Sequence, residues 1–340
     1  MEQRPAGRSG LRVSGLALGT AAWVAGGRSG GGSGSGSGGG VSGGGVNRGV
    51  SGGGPGGGSS GSRRVDEDAA AGLLRTFRAA GGTLLDVIAG SDAEPMLSRI
   101  LGPDRDDVVL AVRVPGAAGE ASRQNLMTRL DATLRRIDTD HLDLWQVPVG
   151  GTTVPLEETL TAVDQAVASG RVRYAGVVDH VGWRLARAVT WQQAWPARAP
   201  IVSDQVEYSL LARDVEVDTA PAALELGVGL LVRAPFGGGA LVGREQGERN
   251  GLGADRVGRG DPRALGIVEA VATAADGLAS TPVAVALSWL RDRPGVSSIV
   301  VGARTNAQLT AAVNAHELNL PDAIRRALDD VSTPPAGPLR

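Results

Sequence analysis

VVLAVRV at residues 108 to 114, LDLWQVPV at 142 to 149 and VRYAGVV at 172 to 178 are short apolar runs rich in β-branched side chains. Two longer stretches lie between them, SRQNLMTRLDATLRRI at 122 to 137 and PLEETLTAVDQAVASG at 155 to 170, and both have the apolar spacing of amphipathic helices. Short apolar runs that alternate with helices indicate repeated βα units around a parallel sheet. The number of such units therefore decides the fold.

Counting outward from this stretch gives eight predicted strands, with helices between successive ones. The other five are LALGTAAW at 16 to 23, TLLDVI at 83 to 88, IVSDQVEY at 201 to 208, GLLVRAPF at 229 to 236 and SSIVVGAR at 297 to 304. Right-handed crossovers close eight βα units into a (β/α)₈ TIM barrel of the α/β class. The alternative is a doubly wound open sheet, which usually has about six strands and a Gly-rich turn inside a compact βαβ unit.

The count divides the chain into three segments but predicts a single domain. Residues 1 to 25 hold an N-terminal segment and the first barrel strand, and residues 63 to 335 hold the remainder of the barrel. Residues 26 to 62 are almost wholly Gly and Ser, so they cannot bury enough apolar surface to offset their ordering entropy, and we expect them to be disordered. Their G-x-G-x-x-G patterns lack a leading strand and a following helix, which argues against a nucleotide-binding loop.

Composition excludes several functional classes. The 340 residues carry a formal net charge of −2, no cysteine and three histidines, and every basic side chain other than histidine is arginine. We therefore expect no nucleic-acid partner, no thiolate metal site and no lysine Schiff base. The chain has no apolar run of about 18 residues and no signal-peptide core. We expect a soluble, cytoplasmic protein without membrane contact.

Six stretches together resemble the aldo/keto reductases, and the resemblance covers nearly the whole chain apart from the Gly/Ser tract. They are LRVSGLALGT at 11 to 20, LDATLRRIDTDHLDLWQV at 130 to 147, PLEETLTAVDQAVASGRVRYAGV at 155 to 177, VEYSLLARDVE at 206 to 216, APFGGGALVGR at 234 to 244 and VALSWLRDRPGVSSIVVGARTNAQL at 285 to 309. The resemblance implies a (β/α)₈ barrel, an NADP(H) cofactor and reduction of a small-molecule carbonyl by hydride transfer.

Family members use an Asp, a Tyr, a Lys and a His for chemistry, and the resemblance assigns these roles to Asp86, Ser91, Arg113 and Pro148. The Tyr donates a proton, the Lys lowers its pKa, the Asp holds the Lys, and the His orients the carbonyl oxygen. Ser91 is a far weaker acid than a phenol, and Pro148 has no donor. Arg113 keeps a positive charge for Asp86. We interpret that pair first as structural, with Arg113 as a fixed oxyanion donor the alternative.

The resemblance also assigns contacts to the cofactor. Toward the ribose and nicotinamide these are Gly19, Thr20, Asp179, Gln205 and Arg233. Val178 stands where the family has a serine, and Arg233 stands where it has the aromatic that stacks on the ring. Toward the phosphates the contacts are Gly302, Ala303, Arg304 and Gln308, with Thr305 as the N-cap of the next helix. Arg304 is expected to bind the adenosine 2′-phosphate, which favours NADP(H).

No metal site is predicted. His141 lies near Asp138, Asp140 and Asp143, but these residues come before or at the start of the fourth strand, on the stability face of a barrel, so we interpret them as a solvated loop. His180 is the only histidine near the predicted mouth.

Three hypotheses remain for function. The first is an aldo/keto reductase-like oxidoreductase with weak or lost activity. The second is a catalytically inactive scaffold that binds a cofactor or a protein. The third is a barrel re-employed for other chemistry, with polar groups that include Asp86, Arg113, Asp179 and His180.

Overall fold

Eight parallel strands close into a barrel in the computed structural model of this protein, which describes residues 1–24, 64–116, 121–148, 153–243 and 261–334. An antiparallel hairpin precedes them. In chain order the strands are β1 (Gln3–Pro5), β2 (Arg12–Ser14), β3 (Leu16–Gly19), β4 (Leu84–Ile88), β5 (Val109–Arg113), β6 (Leu142–Val147), β7 (Val172–Val178), β8 (Ile201–Glu207), β9 (Gly229–Arg233) and β10 (Val296–Val301). The barrel order β10-β3-β4-β5-β6-β7-β8-β9 confirms the predicted TIM barrel.

Helices follow the barrel strands on the outside. They are α1 (Glu67–Ala79), α2 (Ala93–Leu101), α3 (Arg123–Ile137), α4 (Leu156–Ala168), α5 (Gly182–Gln193), α6 (Thr219–Leu226), α7 (Pro262–Gly277), α8 (Pro282–Arg291), α9 (Asn306–Ala315) and α10 (Asp322–Ser332). Side-chain caps begin several of them: Asp66 accepts from the Ala69 amide at α1, and Thr305 accepts from the Gln308 amide at α9. Such caps satisfy amides that have no partner within the helix. The predicted cap at Thr305 is confirmed.

The hairpin of β1 and β2 was not predicted. Ala6, Leu11 and Val13 are buried in one cluster with strand residues such as Leu84 and Leu144. The other members of this cluster are inward-facing residues of the barrel strands β3 to β10. The hairpin therefore packs against the inside of the barrel and covers the end opposite the strand C-termini. Its turn is short and its strands have three residues each. Runs of that length carry little periodicity that a sequence pattern can detect.

The prediction that Asp143 belongs to a solvated loop, at the end of the barrel opposite the strand C-termini, is wrong. It lies inside β6, is 4% exposed, and accepts hydrogen bonds from Arg105 Nη1 at 2.8 Å, Arg173 Nη1 at 2.8 Å and the Leu110 amide at 2.9 Å. The His141 ring lies between two carboxylates, with Nδ1 2.6 Å from Oδ1 of the exposed Asp140 and Nε2 3.6 Å from Oδ1 of Asp143. Buried carboxylates require such partners because an unpaired charge away from water is costly. Asp143 therefore fixes β6 to its neighbours.

The described residues contain neither a cluster of metal ligands nor a single membrane-spanning helix. Among them, no group of three or more His, Cys, Asp or Glu side chains is arranged to hold a metal ion. No single described helix has both the length and the apolarity to cross a membrane; Pro262–Gly277 and Pro282–Arg291 have them only when taken together, and this pair is bent by 100°. The tract predicted to be disordered, residues 26 to 62, lies outside the described residues.

Candidate functional site

A cavity of about 810 Å³ lies at the C-terminal ends of the barrel strands, where barrels of this type carry their active sites. Its floor holds the ends of β3, β4, β5 and β9. One wall follows the loop after β9 and the start of α8, and the far side follows the end of β10 and the first turns of α9. The lining is mostly apolar, with a small set of polar groups: Asp86, Arg113, Arg233, Arg304 and Gln308.

Asp86 is held in place through both its backbone and its side chain. Its carbonyl oxygen accepts from the Thr20 amide and the Thr20 hydroxyl, both at 3.0 Å. Its Oδ1 accepts from Nε2 of Gln205 on β8 at 2.7 Å. Burial raises the pKa of Asp86. The charge of Arg113, the hydrogen bond from Gln205 and the charge of Arg233 lower it, but by less than burial raises it. This carboxyl group is thus a stronger base than one in water.

Arg113 ends β5, where its Cα pairs with Ile88 of β4, and both Arg113 and Asp86 line the cavity. Among the described residues, Asp86 receives its side-chain hydrogen bond from Gln205, whereas Arg113 acts on it through charge. The Arg113 Nε atom is buried without a hydrogen-bond partner there. The structure therefore brings the two predicted residues together, and no described residue forms a hydrogen bond with Arg113 Nε.

Ser91 and Pro148 are not among the described residues that line the cavity. Ser91 lies in the tight turn between β4 and α2, where its amide donates to the Ile88 carbonyl and its carbonyl accepts from the Glu94 amide. The Ser91 hydroxyl is buried without a partner among the described residues. Pro148 directly follows β6. Two of the four positions assigned to chemistry therefore contribute no group to the cavity.

The residues assigned to the nicotinamide are bonded to protein partners. Arg233 donates to Asp179 at 2.8 Å and to Glu207 at 3.0 Å, so three strand ends, those of β7, β8 and β9, are joined by charge. Gln205 is likewise used by Asp86. Asp179 has a left-handed backbone with φ of 56°, which a β-branched residue would adopt only with strain. A ligand must compete with these bonds for the Nη atoms of Arg233 and for Nε2 of Gln205, whereas Gln205 Oε1 and Arg233 Nε have no hydrogen-bond partner among the described residues.

Sequence reasoning missed Asp204 and Glu207, which surround the same strand ends. Asp204 is fully buried on β8, and its burial, together with the charge of Asp179, raises its pKa well above the usual range. Glu207 completes the pairing of Arg233. The available signal was the acidic residues within and at the C-terminal end of the predicted strand IVSDQVEY, the part of a barrel strand that faces the mouth.

The phosphate end is more open. A Cβ atom placed on Gly302 would meet nothing within 4 Å, and Gly302, Ala303, Arg304 and Gln308 all line the cavity. Gln308 accepts from the Arg304 amide at 2.9 Å, and Thr305 caps α9. Among the described residues the Arg304 side chain forms no ion pair or hydrogen bond. A helix N-terminus next to a guanidinium is an arrangement that binds anions. Gly19 lines the cavity next to the end of β10, where a Cβ on Gly19 would come within 2.9 Å of Val300 Cγ1. The buried Thr20 hydroxyl donates to the Asp86 carbonyl oxygen.

Comparisons with known proteins agree with this geometry. The model of the Aldo/keto reductase family matches residues 53–333. The chain is 30% identical over 251 residues to uncharacterized oxidoreductase YrpG of Bacillus subtilis (strain 168), covering 69% of this chain and 75% of that protein. It is 33% identical to uncharacterized oxidoreductase Rv2298 of Mycobacterium tuberculosis (strain ATCC 25618 / H37Rv), covering 78% and 82%. It is 28% identical to L-glyceraldehyde 3-phosphate reductase of Escherichia coli (strain K12), covering 66% and 70%.

Proposed function

The chain belongs to the aldo/keto reductase family, and on that premise we propose that it binds NADP(H) in the cavity at the barrel mouth while its reduction of carbonyl compounds is weak or lost. Membership of an oxidoreductase family rests on the family match and on relatives that are named oxidoreductases.

The open phosphate end of the cavity is the main support for the proposal that the protein binds NADP(H). Gly302 leaves room for a ligand beside the first turn of α9, and Arg304 has no described partner for its charge. We assign the adenosine 2′-phosphate to Arg304 and the start of α9, with Gln308 one turn further on. A volume of about 810 Å³ lies within the range of cofactor pockets. The reduced nicotinamide, when bound, would supply the hydride.

The groups around Asp86 support the proposed loss of activity. A carbonyl that accepts hydride needs a proton donor near its oxygen. Ser91 and Pro148 do not line the cavity, and Thr20 and Gln205 already donate to Asp86. Arg113 remains as a cation, but an arginine guanidinium keeps its proton in proteins and therefore does not act as a proton donor to a carbonyl. A bound carbonyl would therefore find positive charge without an acid at the position that the family uses.

The first experiment is calorimetric titration of the full chain with NADPH and, separately, with NADH in moderate salt. We expect NADPH to bind in the micromolar range and Arg304→Gln to weaken it about 10- to 100-fold, since a charge-assisted bond contributes about 1.5 to 3 kcal/mol. The same variant should change NADH binding little, because NADH lacks the 2′-phosphate. Arg326→Gln, which removes a guanidinium from an exposed position on α10, is the matched control. If neither nucleotide binds, the cofactor proposal is wrong.

A second candidate function is a nucleotide-binding scaffold without turnover, and the ion pairs of Arg233 favour it. Arg233, Asp179 and Glu207 form a joined set at the nicotinamide end, so a ring placed there would gain little from them. NADPH oxidation with a panel of aldehydes and ketones distinguishes a weak reductase from a scaffold whose activity is lost. Binding with no oxidation above the buffer rate identifies the scaffold, and oxidation that depends on the carbonyl substrate identifies a weak reductase.

A further inference from the structure

The floor of the cavity presents a carboxylate oxygen and a guanidinium that described residues leave available. Asp86 is 7% exposed and lines the cavity, where Oδ1 accepts from Gln205 and Oδ2 has no hydrogen bond from a described residue. Arg113 lines the same cavity from the adjacent strand, and its Nε atom is buried without a hydrogen-bond partner among the described residues. The Cα register pairs Asp86 with Ala111 and Ile88 with Arg113, so the two side chains extend from the same face of neighbouring strands.

The surroundings make Asp86 a better base than an aspartate in water. Apolar side chains, among them Phe236, Val242 and Pro282, line the wall above it. Burial raises the pKa of Asp86, and three groups act in the opposite direction: Arg113 from β5, Gln205 from β8 and Arg233 from β9. Arg233 is itself paired with two carboxylates. The balance leaves Asp86 with a raised pKa, as general bases in apolar sites have.

We propose that Asp86 and Arg113 catalyse proton transfer at the carbon beside the carbonyl of α-hydroxy ketones that carry an apolar substituent. Arg113 provides a planar fork of N–H donors that matches two adjacent oxygens, as an α-hydroxy ketone and its ene-diolate present them. Asp86 provides a base on the adjacent strand. The apolar wall accepts the substituent.

The step balances without an oxidant, a reductant or a metal. The Asp86 carboxylate takes the proton from the carbon that bears the hydroxyl group, and the electron pair of that C–H bond forms the C=C bond of an ene-diolate. The carbonyl π pair moves to oxygen, where Arg113 stabilises the negative charge. Return of the proton to the same carbon regenerates the substrate, and return to the neighbouring carbon, with proton transfer between the oxygens, gives the isomeric α-hydroxy aldehyde.

The proposed proton transfer needs no nucleotide, so it can be separated from NADP(H) binding. The reaction is measured with the full chain and no nucleotide, using 2-hydroxyacetophenone in D₂O buffers. Proton NMR follows the loss of the CH₂ signal and the appearance of the isomeric aldehyde. The calorimetric titration described above fails or succeeds independently of this measurement.

We expect exchange that depends on enzyme concentration and falls roughly 10²- to 10⁴-fold in Asp86→Asn, the usual contribution of a general base. Arg113→Met should lower it roughly 10²- to 10³-fold, as loss of an oxyanion donor does. Asp68→Asn, which makes the same chemical change at an exposed position of α1, is the matched control and should exchange at the wild-type rate. Circular dichroism establishes that each variant is folded.

The pH profile of the wild-type chain tests the assignment without any substitution at Asp86. The exchange rate should rise with pH through an inflection above the ordinary range of aspartate. In Arg113→Met the remaining rate should show this inflection at higher pH, because the charge of Arg113 lowers the pKa of Asp86. Wild-type exchange no faster than buffer between pH 5 and 9, or exchange that persists in folded Asp86→Asn, overturns the proposal.

Discussion

His316 gives the stability of this protein a specific dependence on pH. It lies directly after α9, is 7% exposed, and neither ring nitrogen has a hydrogen-bond partner among the described residues. Gly15 packs so closely that a Cβ there would come within 2.7 Å of Nε2. Burial, with the charges of Arg291 and Arg4, lowers the pKa of His316 from 6.5 to about 4, against the opposing charges of Glu2 and Asp292.

The size of the effect follows from linkage. The folded protein keeps His316 neutral down to a pH of about 4, whereas the unfolded chain takes up the proton near 6.5. The contribution of His316 to the free energy of unfolding is thus fully present above pH 6.5 and is lost as pH falls toward 4. One pKa unit corresponds to about 1.4 kcal/mol, so the total loss is about 3 kcal/mol, with about 2.5 kcal/mol gone by pH 4.5. Below the folded pKa the loss levels off.

Urea unfolding at pH 7.5 and at pH 4.5 measures this loss in the wild-type chain and in His316→Gln. The variant has no titrating ring, so we expect its unfolding free energy to fall by about 2.5 kcal/mol less than that of the wild type between the two pH values. Other groups titrate in the same range, and the comparison between the two chains removes their contribution. Equal pH dependence in both chains would refute the argument, as would an NMR titration in which His316 protonates near pH 6.5.

Three further outcomes follow from the same structure. Gly302→Leu should leave the free energy of unfolding within about 0.5 kcal/mol of wild type, because the new Cβ enters open space. The same variant should weaken NADPH binding about tenfold or more in calorimetry, because the leucine side chain fills the phosphate end of the cavity. Adenosine 2′,5′-bisphosphate should bind with a Kd within about tenfold of the Kd of NADPH. Arg233 at the nicotinamide end is already paired with Asp179, so the nicotinamide half should add little to binding. A Kd of NADPH that is a hundredfold lower than that of the bisphosphate contradicts this expectation. Asp143→Asn should cost about 3 kcal/mol in urea unfolding, since it removes the carboxylate that pairs Arg105 and Arg173, and a loss below about 1 kcal/mol would show that water replaces it.

The barrel was predictable because most residues of its strands are buried on both faces, so that the strands form short, mainly apolar runs. Each predicted barrel strand is present, but several end earlier than predicted. The first ends at Gly19 rather than at residue 23, the fourth at Val147 rather than at 149, the seventh at Arg233 rather than at 236, and the eighth at Val301 rather than at 304. A run of apolar letters does not indicate where the ladder of hydrogen bonds stops, because the loop that follows can be equally apolar. The cap at Thr305 was predictable for a different reason, since capping depends only on residues a few positions apart.

The sequence predicted which residues line the candidate site better than it predicted the hydrogen bonds and ion pairs among them. Strand ends place Asp86, Arg113, Arg233 and Arg304 around one mouth, and all four line the cavity. The partners within that set were not predictable, because the bond from Gln205 to Asp86 joins residues 119 positions apart. Which of several polar groups at a barrel mouth bond to each other depends on rotamers and on strand stagger, and neither leaves a periodic signal in the sequence.

Burying a carboxyl group at the floor of an apolar cavity lowers the free energy of unfolding, because the charged form loses its contact with water. Asp86 has one side-chain hydrogen bond from the described residues and the charges of Arg113 and Arg233, and burial still outweighs them in setting its pKa. An apolar residue of similar volume at this position would relieve that desolvation, since buried ionic groups are often less stabilising than well-packed apolar ones. The Asp86 and Arg113 arrangement is thus poorly explained by stability alone. It is better explained by a ligand that uses both groups.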